Sequence, residues 1–259
     1  LSTTIGVSGK GGVGKTTFAA LTVMHLVENG LKPVLAVDAD PNSNLHIMLG
    51  VDLPFTIGAV REEMSEKIQR GELPAGISKQ DMLEMQIEQA LVETPDFDLI
   101  SMGRPEGPGC YCAINNMLRL FLDRLTDRYS FVVIDNEAGM EHLSRRTTRS
   151  VNFMYVISDS SSRGLQTAMR IRDLAMEMKI GVSRFYLVVS RVREPLGLEL
   201  EKVIEESRMD FAGIVPDDPL IADLDASGVS LKGLDKESAA LAAVGEILDG
   251  TVLFARQRE

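Results

Sequence analysis

Tryptophan is absent from the 259 residues, and aromatic side chains make up only 5% of the chain. So few flat rings leave little for bases to stack on, which argues against a single-strand nucleic-acid binder. Cysteine is nearly missing as well. Two residues cannot build a disulfide framework, and they point to a reducing, cytoplasmic setting. No run reaches the roughly 18 apolar residues of a membrane span, and the first residues enter a strand-like segment with no signal-peptide pattern. Positive charge is in deficit: 27 Lys and Arg against 38 Asp and Glu give a net −11. Phosphate backbones and anionic lipid heads are repelled by such a chain. Neither nucleic acid nor membrane is an expected partner.

What remains is an ordinary globular balance, 44% apolar and 25% charged, of a length that suits one large domain. Short apolar runs at Thr4–Ser8, Pro33–Asp38, Phe97–Met102, Phe131–Asp135, Phe153–Ser158, Phe185–Ser190 and Phe211–Pro216 read as strands. Most are almost continuously apolar, as strands covered on both faces are. Helix-length segments separate them, among them Lys15–Glu28, Ala113–Arg128, Ser162–Met178 and Lys236–Phe254. The alternation predicts an α/β fold of three layers, a mostly parallel sheet between helices. With no linker or repeat in view, residues 1–259 form one domain. Asp52–Asp96 breaks the rhythm with amphipathic stretches around Ile57–Arg70 and Lys79–Glu93. It is expected to pack as an extra helical layer, with a lid or partner surface as the alternative.

Gly9-Lys10-Gly11-Gly12-Val13-Gly14-Lys15-Thr16 follows a strand and opens a helix, satisfying the phosphate-loop pattern G-x-x-x-x-G-K-[ST]. Its glycines let the backbone wind tightly and aim successive N–H groups at phosphate oxygens, and the helix start adds its positive dipole end. Lys15 is expected along the β- and γ-phosphates, and the Thr16 hydroxyl on Mg²⁺. Gly9, Gly11 and Gly14 also spell the dinucleotide fingerprint G-x-G-x-x-G, with Asp38 where a ribose-binding acid would stand. Lys15-Thr16-Thr17 decides against that fold, because a triphosphate–Mg²⁺ site needs the lysine and hydroxyl and a dinucleotide turn does not.

Phe131-Val132-Val133-Ile134-Asp135 is a buried strand ending in an acid, as in a Walker B element whose aspartate holds the Mg²⁺ shell. Val34–Asp38 ends in Asp38-Ala39-Asp40-Pro41. In a parallel sheet both ends fall on the edge that carries the phosphate loop. An ordinary Asp-Pro turn is the alternative for Asp40-Pro41.

Lys10-Gly11-Gly12-Val13-Gly14-Lys15-Thr16-Thr17 resembles the deviant Walker A of the MinD/ParA/nitrogenase-iron-protein class of P-loop ATPases, marked by the extra lysine, Lys10. The resemblance implies ATP as ligand and a nucleotide-sandwich homodimer in which Lys10 reaches the partner's triphosphate. It implies that Asp38 joins Thr16 and Asp135 at Mg²⁺, that Asp40 in switch I orients the attacking water, and that Lys10 and Lys15 neutralise transition-state charge. Asp135-Asn136-Glu137-Ala138-Gly139 is similar to switch II. Nucleotide contacts also pass by resemblance to Thr17, Ser190, Arg191 and Pro216, although Ser190-Arg191-Val192 stands where relatives commonly carry Asn-Lys for adenine. Gly109-Cys110-Tyr111-Cys112 and Glu137-Ala138-Gly139-Met140-Glu141-His142 are together similar to the CooC-type ATPases. Those insert nickel into carbon monoxide dehydrogenase, and a close relative serves acetyl-CoA synthase. An apo form of one of these enzymes is the implied client.

Both cysteines of the chain therefore fall two residues apart. In an extended segment they point to one side, where two thiolates can meet one metal at about 2.3 Å each. A following helix N-terminus favours thiolate. Two sulfurs leave a tetrahedral site half built, and a two-fold dimer brings four together. Ni²⁺ or Zn²⁺ suits that site. A pair of buried, inert cysteines and a dimer-bridging iron–sulfur cluster are the alternatives. His25 reads as surface or packing, and His142 either as a structural hydrogen bond or as a ligand. The 13 methionines read as core filler, and Arg145, Arg146 and Arg149 as a solvated helix face or a docking patch. The expected function is a nickel-delivering ATPase. Its rivals are a reductase resembling nitrogenase iron protein, whose cluster cysteines lie tens of residues apart, and a positioning ATPase for DNA or membrane.

Overall fold

The computed structural model describes residues 2–72, 76, 78–104, 123–137 and 151–253. Within them, strands β1 (Thr3–Gly9), β2 (Val34–Asp38), β3 (Val92–Glu93), β4 (Asp98–Ser101), β5 (Phe131–Asp135), β6 (Val151–Ser158), β7 (Val182–Val192) and β8 (Asp210–Pro216) form one sheet. Their order is β3-β4-β2-β5-β1-β6-β7-β8. Every neighbouring pair is parallel except β3–β4. All seven expected strands are present, and the two-residue antiparallel β3 is an addition at the edge. It occupies the end of the helix expected over Lys79–Glu93.

The helices are α1 (Lys15–Glu28), α2 (Leu45–Leu49), α3 (Ile57–Arg70), α4 (Lys79–Ala90), α5 (Ser162–Glu177), α6 (Leu198–Glu206), α7 (Pro219–Ala226) and α8 (Ala239–Leu248), the last running into a π-helical turn over Asp249–Leu253. The helix expected over Ala113–Arg128 is described only from residue 123, and 123–126 are helical.

Sheet pleating explains the continuous apolar runs. Phe131 and Val133 of β5 face one core with Ile5, Val7, Tyr155 and the buried sides of α1 and α8. Val132 and Ile134, one residue out of step, face a second core with Met154, Val156 and the apolar side of α5. Each strand thus contributes side chains to both layers, and polar residues have no face to occupy. The 52–96 insertion joins the second core: Met64 of α3 and Leu83 and Ile87 of α4 are at most 1% exposed. Burial of this kind contributes about 2 kcal/mol per side chain. Among the described residues no helix is long and apolar enough to cross a membrane.

Parallel strands send all their carboxyl ends to one edge. The central strands β2, β5 and β1 lie side by side there, so Asp38, Asp135 and the loop after Gly9 become neighbours although Gly9 and Asp135 stand 126 positions apart in the chain.

Candidate nucleotide-binding site

The loop between β1 and α1 is shaped by glycines. At Gly9 a Cβ would lie 2.3 Å from the Ile157 carbonyl oxygen of β6, so any larger residue would force the strands apart. Gly12 and Gly14 take φ 79° and 88°, left-handed values that favour glycine. A Cβ on Gly11 or Gly12 would meet nothing within 4 Å, which leaves the loop open for a ligand. Helices α3, α4, α5, α7 and α8 are capped by the side chains of Thr56, Ser78, Ser161, Asp218 and Ser238. Gly14 starts α1 with no side-chain cap, so its first N–H groups and positive dipole end are available to an anion.

Lys15 is 8% exposed, with its Nζ donating to the Lys10 carbonyl at 3.2 Å. Lys10 itself is exposed. Asp38 and Asp135 stand directly opposite each other in the β2–β5 register, and Asp135 is also level with Val7 of β1. The Thr16 hydroxyl donates to Asp135, and this bond and the Lys15 ammonium pull its carboxyl downward. Burial outweighs them and pushes it up to about 6. Asp38 is pushed up to about 7, chiefly by burial and further by the neighbouring carboxylates, against the pull of two backbone N–H groups. Its Oδ1 accepts from the Asp40 N–H at 3.1 Å and its Oδ2 from the Leu45 N–H at 2.9 Å.

Asp38 therefore organises the whole segment between β2 and α2. Asp40 is oriented in turn: its Oδ1 accepts from the Asn42 backbone N–H at 2.8 Å and from Asn42 Nδ2 at 3.0 Å. Ser43, at φ 52°, joins Ser101 of β4 through their hydroxyls at 2.8 Å.

Two close buried carboxylates with raised pKa values are a strained arrangement that a divalent cation relieves. Asp135 Oδ1 is buried with no hydrogen-bond partner, and the Thr16 hydroxyl adjoins the same carboxylate. This all-oxygen donor set suits Mg²⁺, which keeps waters and takes one or two carboxylates.

The same burial has a measurable consequence in the magnesium-free protein. Between 3.8 and its folded value of about 6, the folded Asp135 holds a proton that the unfolded chain has lost. The contribution of Asp135 to stability therefore falls as pH rises through that window and is level above it, while Asp38 extends the fall toward 7. Asp135→Asn removes the effect. Without nucleotide at pH 7.5 the variant is expected to be more stable than the parent by about 2 kcal/mol, yet to lose Mg²⁺-dependent hydrolysis. Thermal melts at pH 5 and pH 7.5 check this, and a variant no more stable at the higher pH contradicts it.

Ser190 and Arg191, at the end of β7, lie against the phosphate loop, the Arg191 Nη1 donating to the Gly12 carbonyl at 3.0 Å. Pro216 ends the adjacent β8. Asn136 falls in the stretch similar to switch II, and the structure adds a bridging role that the sequence does not specify. Its Nδ2 donates to the Val7 carbonyl at 3.0 Å and bridges β5 to β1, while its Oδ1 is buried without a partner. His25 meets Asp249 at 3.0 Å, between α1 and the π-helical turn, as a packing residue. Cys110, Cys112, His142 and the Arg145, Arg146, Arg149 cluster lie outside the described residues. Among the described ones no group of three or more His, Cys, Asp or Glu is arranged to hold a metal ion.

Comparison with known proteins agrees with this geometry. Residues 5–231 match the CobQ/CobB/MinD/ParA nucleotide binding domain. An uncharacterized ATP-binding protein of Methanocaldococcus jannaschii is 45% identical, the match covering 95% of this chain and 96% of that one. The carbon monoxide dehydrogenase accessory protein CooC of Rhodospirillum rubrum is 32% identical, over 93% of this chain and 96% of its own. Among solved structures, the septum site-determining protein MinD of Pyrococcus horikoshii, complexed with Mg-ADP, superposes with a TM-score of 0.70 at 20% identity. That match spans 100% of this chain and 99% of the other. The phosphate loop, the paired strand-end carboxylates and these likenesses agree: the chain belongs to the CobQ/CobB/MinD/ParA family and is a P-loop ATPase of the MinD/ParA class, similar to CooC.

Proposed function

We propose that this ATPase is a nickel chaperone whose ATP-bound homodimer holds the ion between Cys110 and Cys112 of both copies. Hydrolysis then opens the dimer and releases the ion to apo carbon monoxide dehydrogenase or acetyl-CoA synthase in the cytoplasm. The observation that carries the reading is the near full-length likeness to an accessory protein of carbon monoxide dehydrogenase, in a chain whose two cysteines form one Cys-x-Cys. Nickel is cargo here, with zinc the competing occupant.

Gly9, Gly11, Gly12, Val13, Gly14 and Thr17 would cradle the nucleotide with Lys15, and Ser190, Arg191 and Pro216 would border it. Thr16, Asp38 and Asp135 would hold Mg²⁺, which supplies charge neutralisation at the phosphates. Asp40, held by Asn42, would orient water, and Lys10 would act on the partner's triphosphate. Asp38 supports a switch role because it holds Asp40 and Leu45 at once. A shift at Asp40 on γ-phosphate loss would move the start of α2 with it.

Cys110→Ala/Cys112→Ala is expected to abolish stoichiometric Ni²⁺ binding while leaving ATP affinity within about twofold, since two thiolates are half of a tetrahedral donor set. Equilibrium dialysis with metal analysis tests this. Retained stoichiometric metal in the double variant refutes the site.

A further inference from the structure

Two consecutive residues at the end of β7 grip two consecutive carbonyls of the phosphate loop. Ser190, 6% exposed, donates its hydroxyl to the Val13 carbonyl at 2.5 Å and also lies 3.3 Å from the Ser158 carbonyl. Arg191 donates from Nη1 to the Gly12 carbonyl at 3.0 Å. Its backbone takes φ 55°, a left-handed conformation that costs any residue but glycine. Its Nε sits 3.9 Å from where a Cβ on Gly14 would stand, so the guanidinium runs along the loop.

In a trans peptide the C=O of one residue and the N–H of the next point in opposite directions. Drawing the Gly12 and Val13 carbonyls toward β7 therefore turns the N–H groups of Val13 and Gly14 the other way. Those are amides that a phosphate loop presents to its ligand.

We infer that Ser190 and Arg191 are positioning residues for the polyphosphate. They act through the loop, holding the Val13 and Gly14 amides preformed, and not by recognising the base. This deepens the nucleotide-site assignment and rests on it. Preformed donors serve ground state and transition state alike, so their loss weakens binding more than it slows turnover.

The test compares ATP with inorganic tripolyphosphate, which has no base, as substrate and competitive inhibitor with Mg²⁺ present. Ser190→Ala and Arg191→Gly are the variants. The first changes no charge, and the second places a residue suited to φ 55°. Each is expected to raise the KM for ATP and the inhibition constant of tripolyphosphate by the same factor, about tenfold, with kcat within about twofold. Weakened ATP with unchanged tripolyphosphate would mean a base contact and overturn the inference. So would unchanged values for both ligands, or a fall in kcat at constant KM. Failure of tripolyphosphate to inhibit the unaltered protein would sink the nucleotide-site assignment itself.

Discussion

Lys15→Ala is expected to lower kcat for ATP hydrolysis by about 10³-fold, the scale set by removing a principal charge from the phosphoryl transition state. Lys15 opens α1 and is nearly buried, with its Nζ drawn back to the Lys10 carbonyl at 3.2 Å. The ammonium is thus fixed at the uncapped end of the helix and needs little reorganisation when phosphate arrives. It also lowers the Asp135 carboxyl, so the substitution takes away a cation that favours the charged form of that buried acid. Lys15→Arg is not expected to rescue, because a planar fork does not fit where a compact ammonium is enclosed. Phosphate release at saturating ATP measures the effect, and a loss below about tenfold would contradict the assignment.

Lys10→Ala is expected to affect assembly as strongly as chemistry. Its neighbour in the loop, Lys15, is enclosed, but Lys10 is exposed, as a residue serving a second copy must be. If it stabilises the partner's triphosphate, its removal should suppress the ATP-dependent dimer and lower kcat by about 10²-fold or more, as with other cations supplied in trans. ATP binding to the single chain should change little. Complementation makes the trans role explicit. In a mixture of Lys10→Ala with Asp40→Ala, each mixed dimer regains one complete site, so about a quarter of parental activity should return for random pairing. A mixture as inactive as its components would place Lys10 on its own nucleotide.

The residues that spelled the site were those whose chemistry demands a fixed local order. Gly9 to Thr16 must follow one another to wrap phosphate, and Asp38 and Asp135 announce themselves by ending apolar strands. The parallel sheet was legible for the same reason, since alternate residues of β5 enter two different cores and leave an unbroken apolar run.

The missed features have physical causes of their own. Helix α2 is five residues long, too short to show a 3.6-residue period. At α7 the signal was present, with Asp218 capping and Pro219 in the first turn, but a short helix with no buried face shows no stripe. Strand β3 has two residues and exists because β4 offers it an edge. The grip of Ser190 and Arg191 on the loop spans 177 and 179 residues. Only the sheet order, with β7 one strand beyond β6, brings those residues together. Asp38 is legible as a strand-end acid, but its hold on the Leu45 N–H depends on a backbone course that no local pattern specifies.

The most direct test of the central claim is gel filtration with metal analysis under reducing, anaerobic conditions, with Ni²⁺ supplied and ATP either present or absent. The account predicts a dimer carrying one nickel per two chains when ATP is bound, and a metal-poor monomer when it is withheld. A monomer that binds nickel stoichiometrically without nucleotide, or an ATP-bound dimer that carries none, would contradict it.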